Sequence, residues 1–250
     1  MVPKYLNRSK NQRYVKQMIN RAIKANNNQM IETKQSNTTS PDGVQIKHND
    51  FVTLTSKVLK TTEGVQDPTI FNSLNRIGDK INVKGVKIKL MAELNERYSD
   101  VTFRLLLVRC ARGDTPTRAT LFNGLSGNKM LDTINKERYT VLFQKYFKIR
   151  APNQSTTGAI DVGGGAGSGF NYANDGDTRL SRATKMISAW IPGKKFSRTG
   201  VITYNNATED PKFFDYHVLL YAYSNYSTLQ DIWEIGRVND YIQTLYFKDA

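Results

Sequence analysis

NRIGDKINVKGVKIKLMAELNERYSDVTFRLLLVRC, residues 75–110, reads as a turn followed by two strands. Asn75-Arg76-Ile77-Gly78-Asp79-Lys80 carries the turn, and Ile81 and Val83 then share one side of a period of two. After Lys84-Gly85 the alternation slips by one, and Val86, Ile88 and Leu90 continue it. A glycine at a phase slip predicts a β-bulge. Lys84, Lys87 and Lys89 then fall on the opposite, wet face, which reads equally well as solvated sheet or as a polyanion contact. Val101 to Cys110 is a compact apolar strand, with Val101, Phe103, Leu105 and Leu107 set against Thr102, Arg104 and Leu106.

The same pattern extends in both directions. Upstream, Val52, Leu54, Ser56 and Val58 alternate with Phe51, Thr53, Thr55 and Lys57. Downstream, strands are expected at Tyr139–Ile149, Thr184–Ile191, Val201–Tyr204, Phe213–Tyr223 and Val238–Phe247, punctuated by Pro192-Gly193, Gly200, Pro211 and Gly236. Two long connections interrupt them. Residues 111–138 suggest short helical turns near Thr117–Phe122 and Asp132–Arg138. Residues 151–181 contain the run Gly163-Gly164-Gly165-Ala166-Gly167-Ser168-Gly169, a flexible surface loop by composition. Eight strands, little helix and no internal repeat predict an all-β body, a single eight-stranded jelly roll (β-sandwich), over residues 44–250.

Residues 1–43 read as a basic, partly helical N-terminal arm and linker. The first thirty residues contain Lys4, Arg8, Lys10, Arg13, Lys16, Arg21 and Lys24 and no acid, which is half of the chain's net +14. Val15, Met18, Ile19, Ala22 and Ile23 fall on one helical face, with the basic residues largely off it and Ser9 or Asn11 placed to cap its start. So narrow an apolar stripe does not hold a helix alone. It suits packing against copies of itself, or folding when phosphates neutralise it. A solubilising tail and a membrane-surface helix are the rivals, the latter weakened by the lack of Trp or Phe to anchor it. Residues 26–43, ending Ser40-Pro41-Asp42-Gly43, read as linker.

The pI near 9.7 points to nucleic acid or an anionic surface. One cysteine, Cys110, excludes an internal disulfide and fits a reducing compartment. No apolar signal segment or membrane-length run is present, so no membrane insertion is expected, and Asn7-Arg8-Ser9 and Asn225-Tyr226-Ser227 read as chance triplets. The glycine run lacks the spacing of a phosphate-binding loop. His48 and His217 with one cysteine make no zinc set. Cys110 reads as a packed residue, Glu209-Asp210 as a loop pair, and Arg112-Gly113-Asp114 as a turn rather than an adhesion tripeptide. No nucleophile elbow occurs, and no enzyme is expected. Most of the tyrosines and phenylalanines fall inside strand patterns, where core packing explains them.

The order of these segments carries a resemblance. A basic arm with Met18-Ile19-Asn20-Arg21 is followed by Arg76-x-Gly78-Asp79 opening a strand, then Phe103-Arg104-x-Leu106-x-x-Val108-Arg109. Arg112-Gly113-x-Thr115-Pro116-Thr117, the strand Arg138-Tyr139-Thr140-Val141-Leu142 and a final Asp249-Ala250 complete it. This order resembles the coat proteins of the satellite tobacco necrosis virus type. It is also similar to the single-jelly-roll capsid proteins of small circular single-stranded DNA viruses that encode a replication initiator. The likeness covers the arm and residues 70–150, and is weaker beyond. It implies a self-assembling T=1 icosahedral shell of sixty copies, with the arm on a packaged single-stranded genome. The length and loop insertion favour circular DNA over RNA. It also implies calcium between subunits, with Asp249 as the carboxylate and the Arg76–Lys80 turn supplying carbonyls; a plain terminal Asp is the alternative. Virion localisation follows, with the arm doubling as a nuclear import signal in the infected cell, or a cytoplasmic location otherwise. The sequence assigns no host receptor. The competing reading is a cellular basic β-domain that binds single-stranded RNA without forming a shell, which the two long loops fit less well. A carbohydrate-binding jelly roll would explain the body but not the arm.

Overall fold

The computed structural model describes residues 12–22, 34–39, 43–64, 75–94, 100–124, 127–150, 183–206, 208–224 and 234–249. The chain divides into two units, Met1–Lys34 and Gln35–Ala250. In the first, residues 12–22 form helix α1.

The second unit is an all-β sandwich of two antiparallel sheets. Its strands are β1 (Lys34–Thr39, all but its first residue in this unit), β2 (Val44–Lys47), β3 (Asp50–Thr55), β4 (Lys80–Leu94), β5 (Asp100–Ala111), β6 (Thr140–Arg150), β7 (Thr184–Pro192), β8 (Val201–Thr203), β9 (Phe214–Ser224) and β10 (Glu234–Asp249). Helix α2 (Arg118–Leu121) lies in the connection between β5 and β6. Sheet A runs β1-β10-β4-β7, with β2 also on β10 and β8 also on β4; sheet B runs β3-β9-β5-β6. The pairing is nested: β2 with β10, β3 with β9, β4 with β7 and β5 with β6. Two further pairings, β4 with β10 and β5 with β9, join neighbouring pairs within each sheet.

Ten strands appear where eight were expected, and the two additions are β1 and β2. Residues 34–39, expected as linker, lie beside β10 as an edge strand. Lys-Gln-Ser-Asn-Thr-Thr has no apolar alternation, because an edge strand is held by backbone hydrogen bonds that leave no mark on side-chain pattern. The strand expected over 51–58 stops at Thr55, and Val58 and Leu59 are buried in the turn that follows.

The bulge falls where the phase slip placed it. Tyr246 pairs with Gly85 and Phe247 with Val83, so Lys84 stands outside the ladder. Ile81, Val83, Val86, Ile88 and Leu90 consequently all face the interior. Gly85 is required there: a Cβ would run into the Trp190 ring and approach the Ile191 carbonyl to 2.8 Å. The core between the sheets gathers these residues with Phe103, Leu105, Leu107, Val218, Leu220, Leu245 and Phe247. Phe103 stacks on Phe147 with centroids 5.0 Å apart.

A second apolar cluster lies on the other side of sheet B. The 112–139 connection folds back over it, so that Leu121, Phe122, Ile134 and Tyr139 pack on Leu106, Val108, Leu219 and Tyr221. The helical turn expected near Thr117–Phe122 is α2, closed by a capping box between Thr117 and Thr120. Arg104 staples the connection down, its guanidinium donating to the carbonyls of Met130 and Asp132, both at 3.4 Å, and to Gln144 Oε1 at 3.2 Å. Asn49 does the same at its edge, donating to the Gly127 carbonyl and accepting from the Lys129 N–H at 2.9 Å.

Candidate nucleic-acid interface and the Asp249 turn

Of the seven basic arm residues, Arg13, Lys16 and Arg21 lie on α1, and Lys4, Arg8, Lys10 and Lys24 lie outside the described residues. At roughly 100° per residue, Val15, Met18, Ile19 and Ala22 form one stripe and Arg13, Lys16 and Arg21 cover the remainder. Every residue of α1 is exposed, the stripe included. Ile23, the expected end of the stripe, Ser9 and Asn11, the expected caps, and the glycine run at 163–169 are also outside the described residues.

Asp249 and the Arg76–Lys80 turn are brought together. The Ile77 N–H donates to Asp249 Oδ1 at 3.0 Å, across the chain from β10 to the turn before β4. Arg76 organises that turn from beneath. Its side chain is fully buried. It donates to the Gly78 carbonyl, to Glu63 Oε2 at 3.0 Å, to the Thr208 carbonyl at 2.8 Å and to the Asn205 carbonyl at 3.3 Å. The Tyr204 ring lies under it, 4.7 Å from guanidinium carbon to centroid. A buried guanidinium is tolerable only with this density of acceptors. Calcium takes six to eight oxygens. Within one chain the Gly78 carbonyl already accepts from Arg76 and the Asp79 carbonyl from the Tyr204 N–H. No group of three acidic, His or Cys side chains converges among the described residues. Asp249 is the one carboxylate whose hydrogen bond to this turn is described.

The outward face of sheet A gathers basic and aromatic side chains that sequence reading did not connect. On β4, Lys84 and Lys89 are exposed and Lys87 is half-buried. Lys87 stands opposite Trp190 of β7 and Thr244 of β10, and Lys89 opposite Ser188 and Ile242. Tyr246 of β10 sits opposite Gly85, its ring centroid 5.4 Å from that of Trp190 at an interplanar angle of 56°. Trp190 is 51% exposed, Met186 79% and Ile242 44%. Lys248 lies near Lys84, and its ammonium is pushed below its ordinary range by desolvation and then by that neighbouring charge. The acids of this face lie toward the far end of β4. Glu93 is held there by Arg237 at 3.0 Å and Asn239 at 2.8 Å, and Asp240 stands opposite Met91. Trp190 was legible as an outward position, because Ile187, Ala189 and Ile191 take the inward phase of β7.

The remaining chemical candidates are in structural use. Cys110 is buried, and burial first, with the nearby Asp114 and Asp215 charges, pushes its thiol up to about 12. A thiol so far from ionising at neutral pH is a poor nucleophile. Arg112-Gly113-Asp114 forms a turn with Gly113 at φ +83°, where the Gly113 N–H donates to Asp215 Oδ2 at 2.7 Å. Arg138 grips the Asp114 carboxylate in a fork, at 2.7 and 2.6 Å, and holds it below the usual carboxylate range. His48 Nδ1 accepts from the Ser224 N–H at 3.2 Å and His217 Nε2 donates to the Asp114 carbonyl at 3.2 Å, in separate surroundings. Glu209 pairs with Lys60. No protein-family model and no curated protein matches this chain.

Proposed function

We propose that this protein is a viral capsid subunit, a structural and non-enzymatic protein whose sandwich is a jelly roll and whose basic arm binds a packaged single-stranded genome, DNA in preference to RNA. The observation that carries this reading is the nested strand pairing. A chain folded as one long hairpin and rolled up pairs first strand with last and alternates between two sheets, which is the double Greek-key pattern of jelly rolls. Taking β1 and β2 together as one interrupted strand and β8 as an addition, eight strands remain in that order. The arm supports the second half of the reading. Phosphate neutralisation by many copies of such an arm releases counterions, so packaging weakens with salt and is largely indifferent to sequence. On this reading the protein resides in the virion, with passage through the nucleus if the arm serves as an import signal. Calcium bridging Asp249 and the Arg76–Lys80 turn to a neighbouring subunit is part of the same proposal.

Electron microscopy of the purified protein, with the 260/280 nm absorbance ratio after nuclease treatment, tests it. Uniform round particles with protected nucleic acid are expected. A small species that binds single-stranded RNA and never forms particles would replace this reading with a cellular RNA-binding β-domain. Deleting residues 1–25 is expected to leave the melting temperature of the body unchanged and to abolish nucleic-acid retention. Asp249→Asn is expected to lower the melting temperature of assembled particles in calcium but not in chelator; equal melting of both forms in both media removes the metal.

A further inference from the structure

We infer that the lysine half of the outward face of sheet A is a second nucleic-acid surface, in which Lys84, Lys87 and Lys89 take phosphates and Trp190 with Tyr246 stacks unpaired bases. This surface is built from residues of the body, none of them from the arm, and does not depend on whether the protein builds a shell.

Three observations converge on a single-stranded nucleic acid as its occupant. The first is charge. Among the described residues no ion pair involves any of these three lysines, while the acids of the same face lie toward the other end of β4, where Glu93 is engaged by Arg237. Lys248, buried beside Lys84, adds to the positive charge at the lysine end of the face. The second is the aromatic pair. An indole half open to solvent is unusual on a wet sheet face. Its Cζ2–Cη2 edge lies against Gly85, the glycine of the bulge. Tyr246 meets it at 56° rather than stacked flat on it. The third is interleaving. Trp190 stands directly across from Lys87, and Ile242 from Lys89, so apolar and cationic contacts alternate along β4. A positively charged track beside aromatic platforms is how proteins hold single strands without reading sequence. A duplex hides its base faces and would leave the aromatic half of this surface unused.

The test uses the full-length protein and a fluorescein-labelled oligothymidylate, with an oligouridylate in parallel, followed by anisotropy across a salt series. Trp190→Leu is expected to weaken binding of both about 5- to 100-fold without changing the salt slope. The triple change Lys84→Gln, Lys87→Gln and Lys89→Gln is expected to lower the slope by roughly 2, at about 0.7 per phosphate contact on single strands. A charge-matched triple on the connection over sheet B, Arg112→Gln, Arg118→Gln and Lys136→Gln, is expected to leave the slope nearly unchanged. Circular dichroism checks that each variant is folded, and the lysine triple, on solvent-facing side chains, keeps the test alive if the tryptophan variant is not. Unchanged binding in both face variants overturns the inference. So does an equal loss in the control triple, which would make the attraction general. Sedimentation of the same variants covers the remaining case: altered self-association with unaltered oligonucleotide binding makes this face a contact between copies and also overturns it.

Discussion

The outward face of sheet B is roofed by the chain's own 112–139 connection, and the outward face of sheet A, among the described residues, is bare. On β5 the outward-pointing Leu106 and Val108 are as buried as the inward Leu105 and Leu107. On β4 the outward side chains between Lys84 and Lys89 are lysines. The contrast was already written into the two stretches. Phe103-Arg104-Leu105-Leu106-Leu107-Val108 and Val218-Leu219-Leu220-Tyr221-Ala222 are unbroken apolar runs apart from Arg104, and strands covered on both faces read that way. Ile81 to Leu90 alternates, and a strand covered on one face reads that way instead. The number of covered faces is thus encoded strand by strand. Trp190, Met186 and Ile242 depart from the second pattern.

The largest effect that could break this comparison is on the roof. Phe122→Ala removes a ring that packs on Phe51 and Tyr221, and is expected to cost about 3–5 kcal/mol in denaturant unfolding. Trp190→Ala on the bare face is expected to cost well under that. Equal costs would mean that the two faces are equally integral to the fold. Next in size is Gly85→Ala, which forces the new methyl against Trp190 and the Ile191 carbonyl and is expected to cost about 1–3 kcal/mol. Adding Trp190→Ala to it should return part of the loss, since the ring is one of the two obstacles. A strictly additive double variant would show that Trp190 does not rest on the bulge. The smallest effect is a pH dependence confined to the roofed sheet. Burial lowers the His217 pKa below 6.5, against the partial support of the Asp114 carbonyl and the charges of Asp215 and Asp114. The unfolded chain then binds the proton more readily than the folded one. His217 therefore contributes stability that is full above about pH 6.5 and is lost as the pH falls through its folded value. Thermal melts from pH 7.5 to 5 should show this decline, and His217→Gln should flatten it.

What could be read from sequence followed from side-chain periodicity. The bulge at Lys84, the eight strands from β3 onward, the stripe on α1 and the short helix after Thr117 all leave a spacing behind. What could not be read left none. β1 is built of polar residues with no apolar alternation. Arg76 is buried among carbonyls from segments more than a hundred residues away, and nothing local distinguishes it from an exposed arginine. The second core draws Leu121, Phe122, Ile134 and Tyr139 from an aperiodic stretch, so residues 112–139 look like a loop until sheet B is there to receive them. Asp249 is a lone carboxylate by spacing; only the resemblance paired it with the turn that its side chain meets. The basic–aromatic surface was half visible, since the lysines of β4 stood out. Their partners Trp190 and Tyr246 come from strands far away in the chain, and only the register joins them.

β10 borders β1, β2 and β4, so sheet A has no centre until residues 234–249 exist. Sheet B needs nothing beyond Ser224. During synthesis from the amino terminus, one wall of the sandwich is therefore complete while the other is still in separate pieces. Lys248 and Tyr246 are themselves part of that late strand. A growing chain carries its basic arm early, but it assembles the lysine and aromatic face only once β10 has been made, which makes that face a mark of a closed sheet A.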